Sequence, residues 1–281
     1  MTRLRSISLT KSKQISSSQG ASSSRFRIRL LISYDGTEFG GWQKQAEGKP
    51  TIQGELERVF SHILNEKIRL IGSGRTDAGV HALGQVAHFD CSKLPQQVQI
   101  IRGANSLLPP SIVIRRAWEA PLEFHARKSA IYKNYRYWIL NRPFRSALRG
   151  RYLRWISRPL NLEYLQSCCP FITGFHDFSS FRTSGTETKT TKRNILKANW
   201  GLKNRELLYF SVTADGFLKQ MVRNLVGTML DLHFSGRPAS DIQNILESCD
   251  RKQALGTARP EGLHLCRVFY PQVLDNKCRS L

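Results

Sequence analysis

The strongest constraint on how this chain can fold is a pattern of hydrophobic periods that runs through it twice. In the first half, Phe26, Ile28, Leu30 and Ile32 alternate with Arg25, Arg27 and Arg29, the period of two that gives a strand one apolar and one polar face. A glycine-containing loop follows over 35–50. Ile52, Leu56, Val59, Phe60, Ile63 and Leu64 then recur at helical spacing behind Thr51, whose hydroxyl is placed to cap a helix. Strands are expected over 67–71 and 85–90 around a loop at 72–82, a helix over 96–107 ahead of Pro109 and Pro110, and a strand over 111–118. The order strand–helix–strand–strand–helix–strand is the split βαβ, or ferredoxin-like, arrangement.

The second half repeats the pattern. A strand is expected over 131–140, a helix over 161–172, and paired strands over 191–200 and 205–213. A long helix over 216–233 carries Leu218, Met221, Val222, Leu225, Val226, Met229 and Leu230 on one stripe, another helix starts near Ser240, and 265–270 is a last strand. The expected fold is therefore α+β: two pseudo-repeated ferredoxin-like halves, residues 25–120 and 121–275. Their sheets join into one continuous antiparallel sheet with a central basic cleft.

Charge narrows the function. Of 281 residues, 43 are Lys or Arg and 21 are Asp or Glu, a formal net charge of +22. Such an excess points to a polyanionic partner. It is concentrated between Phe124 and Leu162, where ten basic residues occur without one acid. Tyr132, Tyr135, Tyr137, Trp138, Phe144, Tyr152 and Trp155 are interleaved with them. Cations bind phosphates and aromatic faces stack on unpaired bases, so this stripe reads as a nucleic-acid surface, with Arg149, Arg151 and Arg154 on the RNA backbone. The opposing reading is a solvated basic face beside core aromatics.

No apolar run approaches the roughly 18 residues that a membrane span needs. Residues 1–24 hold nine serines and four basic residues with almost nothing apolar, and are expected to be disordered, as either an organellar transit peptide or an RNA-contacting tail. The six cysteines show no C-x-x-C spacing, which points to reduced thiols in a cytoplasm-like compartment and to no structural metal.

The densest concentration of reactive residue types is the loop Gly72-Ser-Gly-Arg-Thr-Asp-Ala-Gly-Val-His81. Its glycines allow sharp turns and close approach of a ligand, and Arg75 and Asp77 lie at its centre. One reading makes Asp77 a nucleophile or base; the other makes it a turn cap paired with Arg75. The H-x-E and P-C-x-x-C of a zinc deaminase, the phosphate loop G-x-x-x-x-G-K-[ST] and the clustered carboxylates of a metal nuclease are all missing from the chain. What remains is metal-free chemistry by one carboxylate among cations.

Gly74-Arg-Thr-Asp-Ala-Gly-Val-His-Ala82, followed by Gly84-Gln-Val-Ala-His-Phe-Asp90, resembles the signature of the tRNA pseudouridine synthase A family. Five more segments agree in order: Tyr34–Gln43, Tyr135-Arg-Tyr137, Gly174–Phe178, Phe217–Gly227 and Ala258–Leu265, the last with His264 where a Tyr is more usual. The resemblance implies two ferredoxin-like halves around a central cleft. It also implies an isomerase that converts uridine to pseudouridine at positions 38, 39 and/or 40 of the tRNA anticodon stem-loop, without cofactor or metal, as a homodimer. It makes Asp77 the catalytic residue, Tyr135 the ring that stacks on the target base, Arg75 the residue that fills the flipped nucleotide's space or holds its phosphate, and Arg223 the ion-pair partner of Asp77. A non-catalytic RNA-binding protein of the same fold is the alternative, and a tRNA methyltransferase a third. His81, His88 and His176 are expected to serve structure: His81 closing the loop, His88 within a strand, His176 with Asp177 at a turn.

Overall fold

The computed structural model describes residues 25–45, 48–183, 185 and 188–281, so the tail expected over 1–24 lies outside the described residues. The strands are β1 (Phe26–Tyr34), β2 (Ile71–Gly72), β3 (His81–Cys91), β4 (Ile112–Ala120), β5 (Tyr132–Asn141), β6 (Arg154–Ile156), β7 (Gly174–Asp177), β8 (Lys192–Asn204), β9 (Leu207–Ala214), β10 (Leu263–Phe269) and β11 (Arg279–Ser280). The helices are α1 (Ile52–Leu64), α2 (Ala104–Leu107), α3 (Leu162–Ser167), α4 (Cys169–Ile172), α5 (Met221–Phe234), α6 (Asp241–Glu247) and α7 (Gln272–Lys277). This is a mixed α+β protein built on one large sheet, ordered β11-β4-β1-β3-β10-β5-β9-β8-β7, with β2 paired to β3 and β6 to β5. Pairing is antiparallel except between β3 and β10 and between β5 and β6.

Local sequence explains the well-formed elements. In β1 the alternate residues Ile28, Leu30 and Ile32 are fully buried. The other face is not simply wet: the Arg29 guanidinium is enclosed by the rings of Trp118, Phe124 and Tyr270 at 4.6–5.1 Å and pairs with Asp275 at 2.6 Å. The Thr51 hydroxyl accepts a hydrogen bond from the Gly54 amide and caps α1, whose Ile52, Leu56, Val59 and Phe60 are buried. The whole apolar stripe read on α5 is buried in the same continuous core. Full burial of each such side chain is worth roughly 1.5–3 kcal/mol.

Other expected elements change for physical reasons. The strand expected over 67–71 shrinks to β2, because side chains of α1 take the backbone groups that a strand partner would use. Ser61 Oγ accepts from the Ile68 amide, Glu57 Oε1 accepts from the Leu70 amide, and Gln53 Nε2 donates to the Leu70 carbonyl. The helix expected over 161–172 divides at Cys168 into α3 and α4, since Pro170 has no amide to continue the ladder. The helix expected over 216–233 starts at Met221, because Gln220 has a left-handed backbone (φ 60°). Residues 215–220 form a loop instead. The stretch expected over 96–107 forms a wide π-helical turn, Gln99–Gly103, leading into α2, with Ile100 and Ala104 fully buried. The short strands β6, β7 and β11 have too little periodicity to be read in advance.

Candidate active site

The loop over 73–80 leaves β2 and enters β3, so a paired strand holds each end. Between them a buried polar network fixes the backbone. Ser73 Oγ donates to Gln85 Oε1 (2.7 Å), and Gln85 Nε2 donates to the Gly74 carbonyl (3.0 Å). The hydroxyls of Tyr34 and Thr76 bond at 2.8 Å, and the Trp42 amide donates to the Thr76 carbonyl. Ser73 and Gln85 are fully buried. Gly79 turns with φ +77°, where a side chain is strained, and a Cβ there would press on Pro260 at 3.0 Å.

This frame presents Asp77 to Arg223, on the first turn of α5. Their closest approach is 3.2 Å, with 26% and 12% of the respective side chains exposed. Arg223 is aimed by a second bond, from Nε to the Ala258 carbonyl (2.7 Å). Arg75 points elsewhere: its Nε donates to Gln43 Oε1 (3.1 Å), and the residue is exposed. The partner of Asp77 is therefore Arg223, 146 residues away in sequence, and the local Arg75–Asp77 pairing considered from the sequence is not formed. Gln43 also lines a groove of about 730 Å³ that includes Lys44, Lys67 and Arg69.

Tyr135, on β5, lies nearly buried, and the Phe217 ring meets it edge to face at 4.9 Å between centroids. The loop ahead of α5 thus carries the residue that sets this tyrosine's orientation. Burial, with lesser contributions from Tyr34, Asp77 and Cys266, raises the Tyr135 phenol well above its usual range, so it stays neutral. Two residues earlier on the same face of β5 is Lys133, a member of the basic stripe with no role read for it. Its Nζ lies 3.7 Å from where a Cβ on Gly74 would stand. Burial, reinforced by Arg127 and Arg193 and opposed by Asp215, brings the Lys133 ammonium down to about 8. Sharing a strand face with Tyr135 was the signal that could have singled it out.

The basic stripe is divided in its use. Arg136 stacks on Trp138 and Tyr209, Arg142 on Phe144 and Arg158 on Phe234. Arg149 is exposed. Arg151 reaches Glu38 (2.9 Å), and Arg154 lies 3.5 Å from Glu261. The backbone after this loop is held by two histidines facing each other across the β3–β10 pair, His81 and His264, stacked at 4.8 Å. His81 Nε2 bonds the Arg151 carbonyl (2.9 Å) and His264 Nε2 the Tyr152 carbonyl (3.0 Å). His81 Nδ1 accepts from the Gly36 amide, so its proton sits on Nε2.

Burial lowers both imidazoles, His264 to about 4; for His81 the Asp35 carboxylate opposes the shift. Burial opposes the charge on Asp35 too. Hydrogen bonds from the Thr37 hydroxyl and amide and from Tyr152 outweigh it and hold the carboxyl below its ordinary value. His88 accepts from the Ala126 amide, and burial takes it to about 4; His176 bonds the Thr173 carbonyl beside Asp177. Among the described residues no group of three or more His, Cys, Asp or Glu is arranged to hold a metal ion. The six cysteines are unpaired, and among the described residues no helix is long and apolar enough to cross a membrane.

A family model described as tRNA pseudouridine synthase matches residues 30–127 and 172–271. The chain belongs to the tRNA pseudouridine synthase family. The resemblance read from the motifs is thereby established. The first matched block carries Arg75 and Asp77 and the second Arg223, while the interval 128–171 holds Tyr135 and the exposed basic loop. Enzymes named tRNA pseudouridine synthase A are similar over nearly their whole length. That of Bdellovibrio bacteriovorus is 45% identical over 259 residues, 91% of this chain and 99% of the relative. That of Acetivibrio thermocellus is 41% identical over 243 residues, 86% and 99% respectively. The family is one of isomerases that act on uridines of tRNA.

Proposed function

We propose that this chain converts uridine to pseudouridine at positions 38, 39 and/or 40 of the tRNA anticodon stem-loop, with Asp77 as the catalytic carboxylate. The observation that carries the reading is the Asp77–Arg223 pair, 3.2 Å apart at the edge of a loop fixed by buried hydrogen bonds. The reaction cleaves the N1–C1′ bond, turns the uracil, forms a C5–C1′ bond and releases the C5 proton. Asp77 attacks the sugar or the base, or takes a sugar proton; these three routes share the need for one accessible carboxylate beside a balancing cation. Arg223 is that cation, and its bond to Ala258 keeps it from collapsing onto other acceptors.

The target base must leave its stem, at a cost of a few kcal/mol. Tyr135 offers a ring for it to rest on, and Arg75, whose hydrogen bond among the described residues is to Gln43, can occupy the vacated space or hold the phosphate. Arg149, Arg151 and Arg154 supply backbone contacts. The basic cleft lies between two ferredoxin-like halves, residues 25–120 and 121–275, and the enzyme works as a cytoplasmic homodimer without cofactor.

Tritium release from tRNA labelled at uridine C5 tests the reading, because C–C bond formation must expel that hydrogen. Release from the anticodon stem-loop is expected. No release from any tRNA would contradict it, and would favour a binding protein of the same fold.

A further inference from the structure

Beside the start of α5 lies a cavity of about 500 Å³. Arg182, Arg251, Ser179, Thr183, Gln220 and Thr257 line it, and none of the described lining residues is acidic. Arg251 is held in place by bonds to the Ala254 carbonyl, Asn224 Oδ1 and Thr257 Oγ1. Arg182 is different. Its guanidinium has no hydrogen bond or ion pair among the described residues, although the residue is partly buried. Ser179 Oγ is buried without a hydrogen-bond partner. Thr183 Oγ1 donates to Gln220 Oε1 (2.6 Å), and Gln220 Nε2 donates to no acceptor among the described residues. A concave site with two guanidiniums, unused donors and no acid among its described lining residues is suited to an oxyanion.

The cavity is coupled to the site of chemistry. The Thr183 amide donates to the Lys219 carbonyl, in the loop that carries Phe217 to Tyr135. Thr257 precedes Ala258, whose carbonyl aims Arg223. Gln220, which lines the cavity, immediately precedes α5, and Arg223, which faces Asp77, lies on its first turn.

We infer that this cavity, centred on Arg182, takes a backbone phosphate of the RNA strand adjoining the flipped nucleotide. The inference rests on the isomerase reading for its substrate but not for its binding chemistry. The phosphate fixes where the strand leaves the cleft and, through Thr183 and Lys219, steadies the loop bearing Phe217.

The test uses the full chain, with Arg182→Gln and Arg182→Lys, in tRNA binding across a salt series and in tritium release. Arg182→Gln is expected to weaken tRNA binding about tenfold, to reduce the slope of log K against log salt by about one, and to raise KM while kcat at saturating tRNA stays within about twofold. Arg182→Lys should recover part of the affinity. Inorganic phosphate at constant ionic strength should compete with tRNA for the wild type and less for Arg182→Gln. An unchanged affinity and salt slope in Arg182→Gln would overturn the inference, as would phosphate binding that depends on Arg182 without any effect on tRNA. Failure of the wild type to release tritium would instead overturn the isomerase reading, and the tRNA affinities would still decide the phosphate site.

Discussion

Two loops flank Asp35, and they are held in opposite ways. The loop over 73–80 is braced from within: Ser73 and Gln85 are fully buried, and its backbone is bonded by Gln85, Trp42 and the Val86 carbonyl. The loop over 142–153 is mostly exposed and is braced at one end, where His81 and His264 bond the Arg151 and Tyr152 carbonyls and Tyr152 donates to Asp35. On the proposed reading bond making tolerates little displacement of the Asp77 carboxylate, and the first loop is held by groups that water cannot reach. On the same reading the second loop offers exposed cations to a phosphate backbone, Arg149 in solvent and Arg151 beside Glu38.

The largest effect comes from acid, acting on two buried histidines: His264, which holds the end of the exposed loop through the Tyr152 carbonyl, and His88, which accepts from the Ala126 amide. His264 and His88 titrate at about 4 in the folded protein, both chiefly because of burial, against an ordinary value near 6.5. Between those values the unfolded chain binds protons that the folded chain refuses. Stability is therefore complete above about pH 6.5 and is lost as pH falls toward 4. Together the two histidines should remove about 4 kcal/mol between pH 7 and pH 5. Urea unfolding at the two pH values measures this, and replacing His264 with Tyr should halve the dependence. A stability independent of pH in this window would mean that neither ring is buried neutral.

Gln85→Met removes two buried hydrogen bonds at the root of the rigid loop. It should cost about 2–3 kcal/mol of stability and lower kcat with little change in tRNA affinity. Equal losses in kcat and affinity would erase the distinction between the loops. Tyr135→Ala should cost roughly 1–3 kcal/mol of base contact, while Tyr135→Phe keeps the ring beside Phe217. If Phe is as inactive as Ala while both bind tRNA, the hydroxyl takes part in moving the C5 proton. The smallest effect on the fold belongs to the exposed loop. Arg149→Glu with Arg151→Glu should leave thermal unfolding unchanged while reducing the salt slope of tRNA binding by about two. A flat salt response in the wild type would mean that this loop faces bulk solvent.

The elements legible in the sequence are those whose signal is local. Alternation gave away β1, the Thr51 cap with its apolar stripe gave away α1, and the density of Gly, Arg and Asp marked the loop around Asp77. What was not legible depends on partners far along the chain. Nothing near Asp77 says that its cation is Arg223, which came only from the motif resemblance, or that Arg75 bonds Gln43. The loss of the strand over 67–71 required Gln53, Glu57 and Ser61 to compete for its backbone. Lys133 carried one weak mark, a strand face shared with Tyr135, and Arg182 none: a basic residue in a basic chain does not stand out until its neighbours are known.

The account turns on Asp77 acting as the reacting group rather than as a turn residue. Asn has nearly the same shape, and it serves as well as Asp in most turns and caps. In Asp77→Asn the loop should therefore survive, while the carboxylate that faces Arg223 is lost. Tritium release from C5-labelled tRNA, measured beside tRNA affinity, separates the two roles. Turnover below detection is expected, with affinity within about tenfold of the wild type, or roughly 1.4 kcal/mol. Near-normal tritium release by Asp77→Asn would contradict the assignment of Asp77, and with it the mechanism built on the Asp77–Arg223 pair.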